Sequence, residues 1–181
     1  MSVDSRGKAR AGFTLVELAV VVTIVGVLAV IAVVGYRKLT LSSKITEAET
    51  MISAIRIAQE DYKTERGLYA NVGGTYCPSN GATQHKWGWN PACAGGGTVP
   101  DWRALPVHTE SGLQFGYATV AGTKNPGTPL GLSWVNFASA PNDVPWYVIH
   151  AKADLNNDGA VFSELVGTSF QGTIFTNNVG E

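Results

Sequence analysis

Hydrophobic residues follow three successive patterns along this chain. From Phe13 to Val34 they are nearly continuous, with only Thr14, Glu17 and Thr23 polar. From Ile45 to Tyr62 they recur at spacings of three and four, through Ile45, Ala48, Ile52, Ile55, Ala58 or Gln59, and Tyr62. This spacing draws one apolar stripe along an amphipathic helix. Glu47, Glu49, Arg56, Glu60, Asp61, Lys63 and Glu65 fall largely outside the stripe and read as a solvated face. No proline interrupts residues 13–66, and Gly67 is a stop signal. The two patterns together predict one long helix in two environments. Lipid or a packed assembly suits residues 13–35, and a folded head on one side suits 36–66.

From Leu113 the period changes to two. Leu113, Phe115, Tyr117 and Thr119 alternate with small or polar neighbours, and Trp146–Leu155, Ala160–Gly167 and the weaker Gly172–Thr176 read as further strands. Turn signals separate them at Lys124-Asn125-Pro126-Gly127, Pro141-Asn142-Asp143 and Asn156-Asn157-Asp158-Gly159. The expected fold is α+β: a long N-terminal helix packed against a small antiparallel β-meander, residues 113–181. Between helix and meander, residues 67–112 are punctuated by Gly, Pro, Asn and Ser, and loops are expected to dominate. Trp87, Trp89 and Trp102 stand out there. They are either an exposed contact surface or, as the scarcity of other large apolar groups favours, the filling of a small core.

Charge adds a direction. Arg6, Lys8 and Arg10 face only Asp4 in residues 1–12, whereas the remainder is mildly acidic. A basic flank before an apolar run holds the N-terminus in the cytoplasm. A helix over residues 13–34 would rise about 33 Å, roughly the hydrocarbon thickness of a bilayer. No small-residue cleavage site follows the run, which continues into Tyr36-Arg37-Lys38, so the segment is expected to be retained. No specific nucleic-acid partner is predicted, since no basic face is apparent. Cys77 and Cys93 have no zinc spacing. In an exported protein two cysteines read as one disulfide, and the alternative is a pair of unlinked core residues.

A carboxylate inside such a run is expensive and generally has a partner. Glu17 lies near the cytoplasmic end, where it can simply reach the interface. The basic leader, Gly12, Phe13-Thr14-Leu15-Val16-Glu17 and the apolar run together resemble the prepilin signature of the type IV pilin and pseudopilin superfamily. The resemblance implies that a prepilin peptidase removes residues 1–12, cutting between Gly12 and Phe13, and that Phe13 becomes the N-methylated terminus. It further implies that Glu17 pairs with the Phe13 amine of a neighbouring subunit as the helices pack into a filament core. Many members carry a proline at the position of Val34. Its absence weakens the case for an abundant subunit and slightly favours a minor one.

Candidate chemistry is sparse. The stretch Asp154 to Gly159, DLNNDG, has the spacing of the first half of a calcium loop. Asp154, Asn156 and Asp158, with Glu164, are the candidate ligands for Ca²⁺, though a plain hairpin turn is the favoured reading because Asn and Asp tolerate left-handed backbone. His85, His108 and His150 are scattered, and neither H-E-x-x-H nor G-x-S-x-G occurs. No enzyme is expected. The expected function is structural: a pilin subunit, assembled from the inner membrane by other machinery into a surface or periplasmic filament. The alternatives are a pseudopilin of a type II secretion system and a membrane-anchored monomeric binding module.

Overall fold

The computed structural model describes residues 12–79, 81, 85–93, 102–138 and 140–179. The basic leader residues Arg6, Lys8 and Arg10 lie outside them. Helix α1 spans Leu15–Arg66 without a break, running straight through Gly26 and Val34. The chain divides into two compact units, one ending at Thr40 and the other comprising Leu41–Glu181.

In the first unit every described residue is exposed. The second is built on a five-stranded antiparallel meander: β1 (Gly73–Cys77), β2 (Gly116–Gly122), β3 (Trp146–Ala153), β4 (Ser163–Thr168) and β5 (Phe175–Asn177), side by side in chain order. Four of these strands lie in or overlap the alternating stretches. The first, β1, lies inside residues 67–112 and carries no alternation to announce it, since two of its five residues are glycine.

The helical stripe packs on one face of the sheet. Ala48, Met51, Ile52, Ile55 and Ala58 are buried with Tyr117 from β2, Tyr147, Ile149 and Ala151 from β3, and Leu165 from β4. Gln59, fully buried, stitches the helix end to the chain beyond it. Its amide donates to the Ala70 carbonyl and its oxygen accepts from the Ala70 N–H, both at 2.9 Å. Gly67, at φ +77°, ends the helix by donating its N–H to the Lys63 carbonyl at 2.7 Å, a left-handed cap that glycine adopts without strain.

Two residues expected on the solvated face are structural. Glu47 accepts from the Gln114 N–H and from Lys86, each at 2.8 Å. Arg56 donates to the Gly172, Gln171 and Thr173 carbonyls. Both side chains leave the helix beside the stripe rather than opposite it, so they reach backbone groups at the sheet's ends. Close approach also explains Gly167, opposite Ile149 in the β3–β4 ladder. A Cβ there would stand 2.7 Å from Ile52 Cγ2 and 3.2 Å from Arg56 Nε. Gly167→Ala is expected to cost about 2 kcal/mol through overpacking. Urea unfolding checks this, and an unchanged midpoint would contradict the packing.

The sheet's second face is covered too. Leu132, Val135, Phe137 and Ala140, from the segment joining β2 to β3, bury Trp146, Val148 and Val166. That cover is why nearly all of β3 is buried instead of every second residue.

Candidate filament-forming helix and the head's polar sites

At the N-terminal end of α1, Gly12 and Phe13 precede the helix, and Phe13 is 90% exposed. The bond between them is therefore open backbone that a peptidase can engage without unwinding a turn. Thr14 occupies the position before the helix, and Glu17 is its third residue. The Thr14 N–H and hydroxyl donate to Glu17 Oε2 at 2.9 and 2.7 Å, while the Glu17 N–H donates to Thr14 Oγ1 at 3.2 Å. This is a reciprocal capping box, which satisfies donors that the first turn of a helix leaves open. The Thr-x-x-Glu spacing before an apolar run carries this role, which the sequence analysis did not assign. Both bonds from Thr14 fall on Oε2, so Oε1 is the oxygen that can face another group.

Beyond the cap, Leu15, Val16, Leu18, Val20, Val21, Val22, Ile24 and Val25 are all more than half exposed, and so is the helix further on at Val27, Leu28, Val30, Ile31, Val33 and Val34. A helix apolar on every side is suited to a membrane or a packed core. By length and composition it is long and apolar enough to cross a bilayer.

In the second unit, Cys77 and Cys93 form a disulfide. Beside it, Trp102 is fully buried and meets the edge of Trp89, whose indole N–H donates to the Val107 carbonyl at 3.0 Å. Trp102 thus fills the core with the partly buried Trp89 packed against it, and Trp87 stays at the surface with 45% of its area exposed.

The DLNNDG turn is closed by its own side chains. Asp154 is buried, and its two oxygens accept from the Asn157 and Gly159 N–H groups at 2.5 and 2.9 Å. Asp158 accepts from the Ala160 and Val161 N–H groups and from the Asn156 amide. The Ala160 N–H above all holds the Asp158 carboxyl below its usual range. Glu164 is engaged elsewhere, with Oε1 3.3 Å from His150 Nε2 and Oε2 accepting from the Asn177 amide at 3.1 Å. Among the described residues no three His, Cys, Asp or Glu side chains are gathered as an ion would need. As arranged, these oxygens do not fit a calcium cage. Asp154→Ala is expected to destabilise by about 2 kcal/mol, the cost of stranding two N–H groups. The loss should be the same with calcium or with chelator in a thermal melt, and a calcium-dependent loss would contradict this account.

His150 is buried, with its ring edges bridging strands. The Tyr76 hydroxyl, pushed up to about 12 by burial and by Glu164, stays protonated and shares a hydrogen bond of 2.6 Å with His150 Nδ1. His150 Nε2 faces Glu164 without a hydrogen bond. The His150 contact holds the Glu164 carboxyl below its usual range, with burial opposing and Asn177 and Lys152 assisting. A carboxyl lowered in the folded state stabilises above its unfolded value, near 4.5, and loses that contribution as pH falls through the folded value. Stability should therefore drop more steeply with acid below pH 4.5 in the wild type than in Glu164→Gln. Denaturant midpoints across that range test this, and parallel profiles would contradict it.

Comparison with known proteins bears on the N-terminal part. Residues 7–33 match the family described as the prokaryotic N-terminal methylation motif. The chain is 35% identical over 99 residues to the type IV major pilin protein PilA of Myxococcus xanthus, covering 53% of this chain and 44% of that protein. It is 45% identical over 53 residues to a fimbrial protein of Pseudomonas aeruginosa, covering 29% and 34%. With the fimbrial protein EcpC of Eikenella corrodens it shares 34% over 58 residues, covering 32% and 38%. The chain thus spans less than half the length of these relatives. No solved structure matches it at a significant level. A methylation motif over residues 7–33 thus leads into an exposed helix long and apolar enough to cross a bilayer. Residues 7–33 carry the prokaryotic N-terminal methylation motif, and the relatives named above are a type IV pilin and fimbrial proteins.

Proposed function

We propose that this chain is the precursor of a structural subunit of a type IV pilus-like filament. A prepilin peptidase removes residues 1–12 and the new Phe13 amine is N-methylated. The apolar helix first anchors the subunit in the inner membrane and then packs among the helices of neighbouring subunits, driven by assembly machinery outside this chain. One observation carries the reading: an exposed, all-round apolar helix opens on a carboxylate immediately after an exposed Gly12–Phe13 bond. In a filament or a bilayer that carboxylate needs a cation, and a neighbour's Phe13 amine supplies one.

The names of the relatives, a pilin and fimbrial proteins, support a filament subunit, and a secretion pseudopilin shares the same signature. The role is structural, and Asp154, Asp158 and Glu164 in the head hold turns and strands together. Intact mass spectrometry of the chain expressed with and without a prepilin peptidase tests the processing. The expected result is peptidase-dependent loss of residues 1–12 and gain of a methyl group. A precursor unchanged by the enzyme would contradict the proposal.

A further inference from the structure

The segment joining β2 to β3, residues 123–145, has a composition of its own. Over these residues the only charged side chains are Lys124 and Asp143, and the only regular structure among its described residues is one short 3-10 turn, Pro129–Gly131. Connections this long without strands or helices are uncommon and often functional. This one is held rigidly. Leu132, Val135, Phe137 and Ala140 pack on the sheet, and Phe137 also meets the edge of Phe170. The Trp146 indole N–H donates to the Lys124 carbonyl.

On this support sits a cleft of about 490 Å³ lined by polar groups and aromatic rings, with no charged side chain in its wall. Asn125 and Asn136 are each locked by an oxygen that accepts a backbone N–H two residues on, from Gly127 and Ala138, both at 2.9 Å. With the oxygen fixed, each amide's two N–H donors have a set direction. Thr128 and Ser133 add hydroxyls that both donate and accept. The Trp134 indole N–H is buried and meets no acceptor among the described residues.

We propose that this cleft binds a neutral saccharide. Its chemistry selects for one. The partly exposed Trp134 indole offers an apolar surface to sugar C–H groups, and oriented amides and hydroxyls match sugar hydroxyls. The uncharged wall gives no reason for a phosphate or a carboxylate to bind. A peptide would favour a free strand edge, whereas this cleft is made by a loop. The inference is independent of filament assembly, because every group it uses lies within one head.

The test uses the full chain in micelles of a detergent without a sugar headgroup, titrated with lactose and with chitotriose and followed by tryptophan fluorescence. At least one sugar is expected to saturate the signal, with a Kd on the order of millimolar, as a shallow, wet site gives. Thr128→Val keeps the side chain's shape but removes the hydroxyl, and Asn136→Asp keeps the oxygen that Ala138 needs but removes the donors. Each should weaken binding by about five-fold or more while the melting temperature stays near wild type. Failure of both sugars to saturate, or curves that neither variant moves, would overturn the proposal. So would a change in self-association by these variants without sugar binding, which would mean that a second copy covers the cleft.

Discussion

Neutralising Glu17 is expected to abolish incorporation of the subunit into filaments, whether the replacement is leucine or glutamine. The glutamine variant carries the argument. A capping box accepts Gln as well as Glu at the third helical position, so Glu17→Gln leaves Thr14 its partner and the first turn its cap. What it removes is the negative charge. If Glu17 serves only to start the helix, Glu17→Gln assembles normally and Glu17→Leu is impaired. If it pairs with a neighbour's Phe13 amine, both variants are lost from filaments, although both still reach the membrane. Thr14→Val is the complement: it removes the hydroxyl that binds Oε2 and keeps the charge. It should retain assembly, with some fraying of the first turn. Sheared filaments and membrane fractions, quantified by immunoblot from cells expressing each variant, separate these outcomes.

Removing the disulfide is expected to have the largest effect on the head. Cys77 ends β1 and Cys93 lies sixteen residues on. Opening a loop of that size costs about 3 kcal/mol in the chain-entropy account, which for a head of this length lowers the melting temperature by about 10 °C. The site of the loss is specific. β1 is an edge strand whose pairing to β2 is already irregular between Gly73 and Cys77. Trp102 and Trp89 pack in the same cluster as the two cysteines. The double variant Cys77→Ala, Cys93→Ala should therefore lose amide protection in β1 first, while the β3–β4 ladder exchanges as before. Hydrogen exchange with and without reductant checks this. Equal protection of β1 in both forms would mean that the strand is held by the sheet alone.

The helix was legible in the sequence because it obeys one rule at a time: continuous apolar residues up to Val34, then a three-and-four spacing through Tyr62. Four strands were legible because large side chains mark the period, among them Tyr117 in β2, Tyr147 and Ile149 in β3, Leu165 in β4 and Phe175 in β5. β1 was not, since Gly73 and Gly74 present no side chain for a period to mark. Glu47 and Arg56 misled for a different reason. Their charge places them outside the apolar stripe, but long side chains at its border reach backbone groups that sequence spacing does not show. The calcium-like spacing at Asp154 reflects the same economy of residue types, since the carboxylates that could hold a cation also serve to close a tight turn on backbone N–H groups. In the opening stretch, Thr14 and Glu17 have a local role that the Thr-x-x-Glu spacing encodes. The family resemblance directs attention instead to the neighbouring subunit.

The central claim is that this chain is cut at Gly12–Phe13 and built into a filament. Mass spectrometry of filaments sheared from native cells tests it most directly. The account predicts a terminal peptide of this chain that begins at N-methylated Phe13 in the filament fraction. An N-terminus that retains residues 1–12, in a chain found only in the membrane, would contradict it.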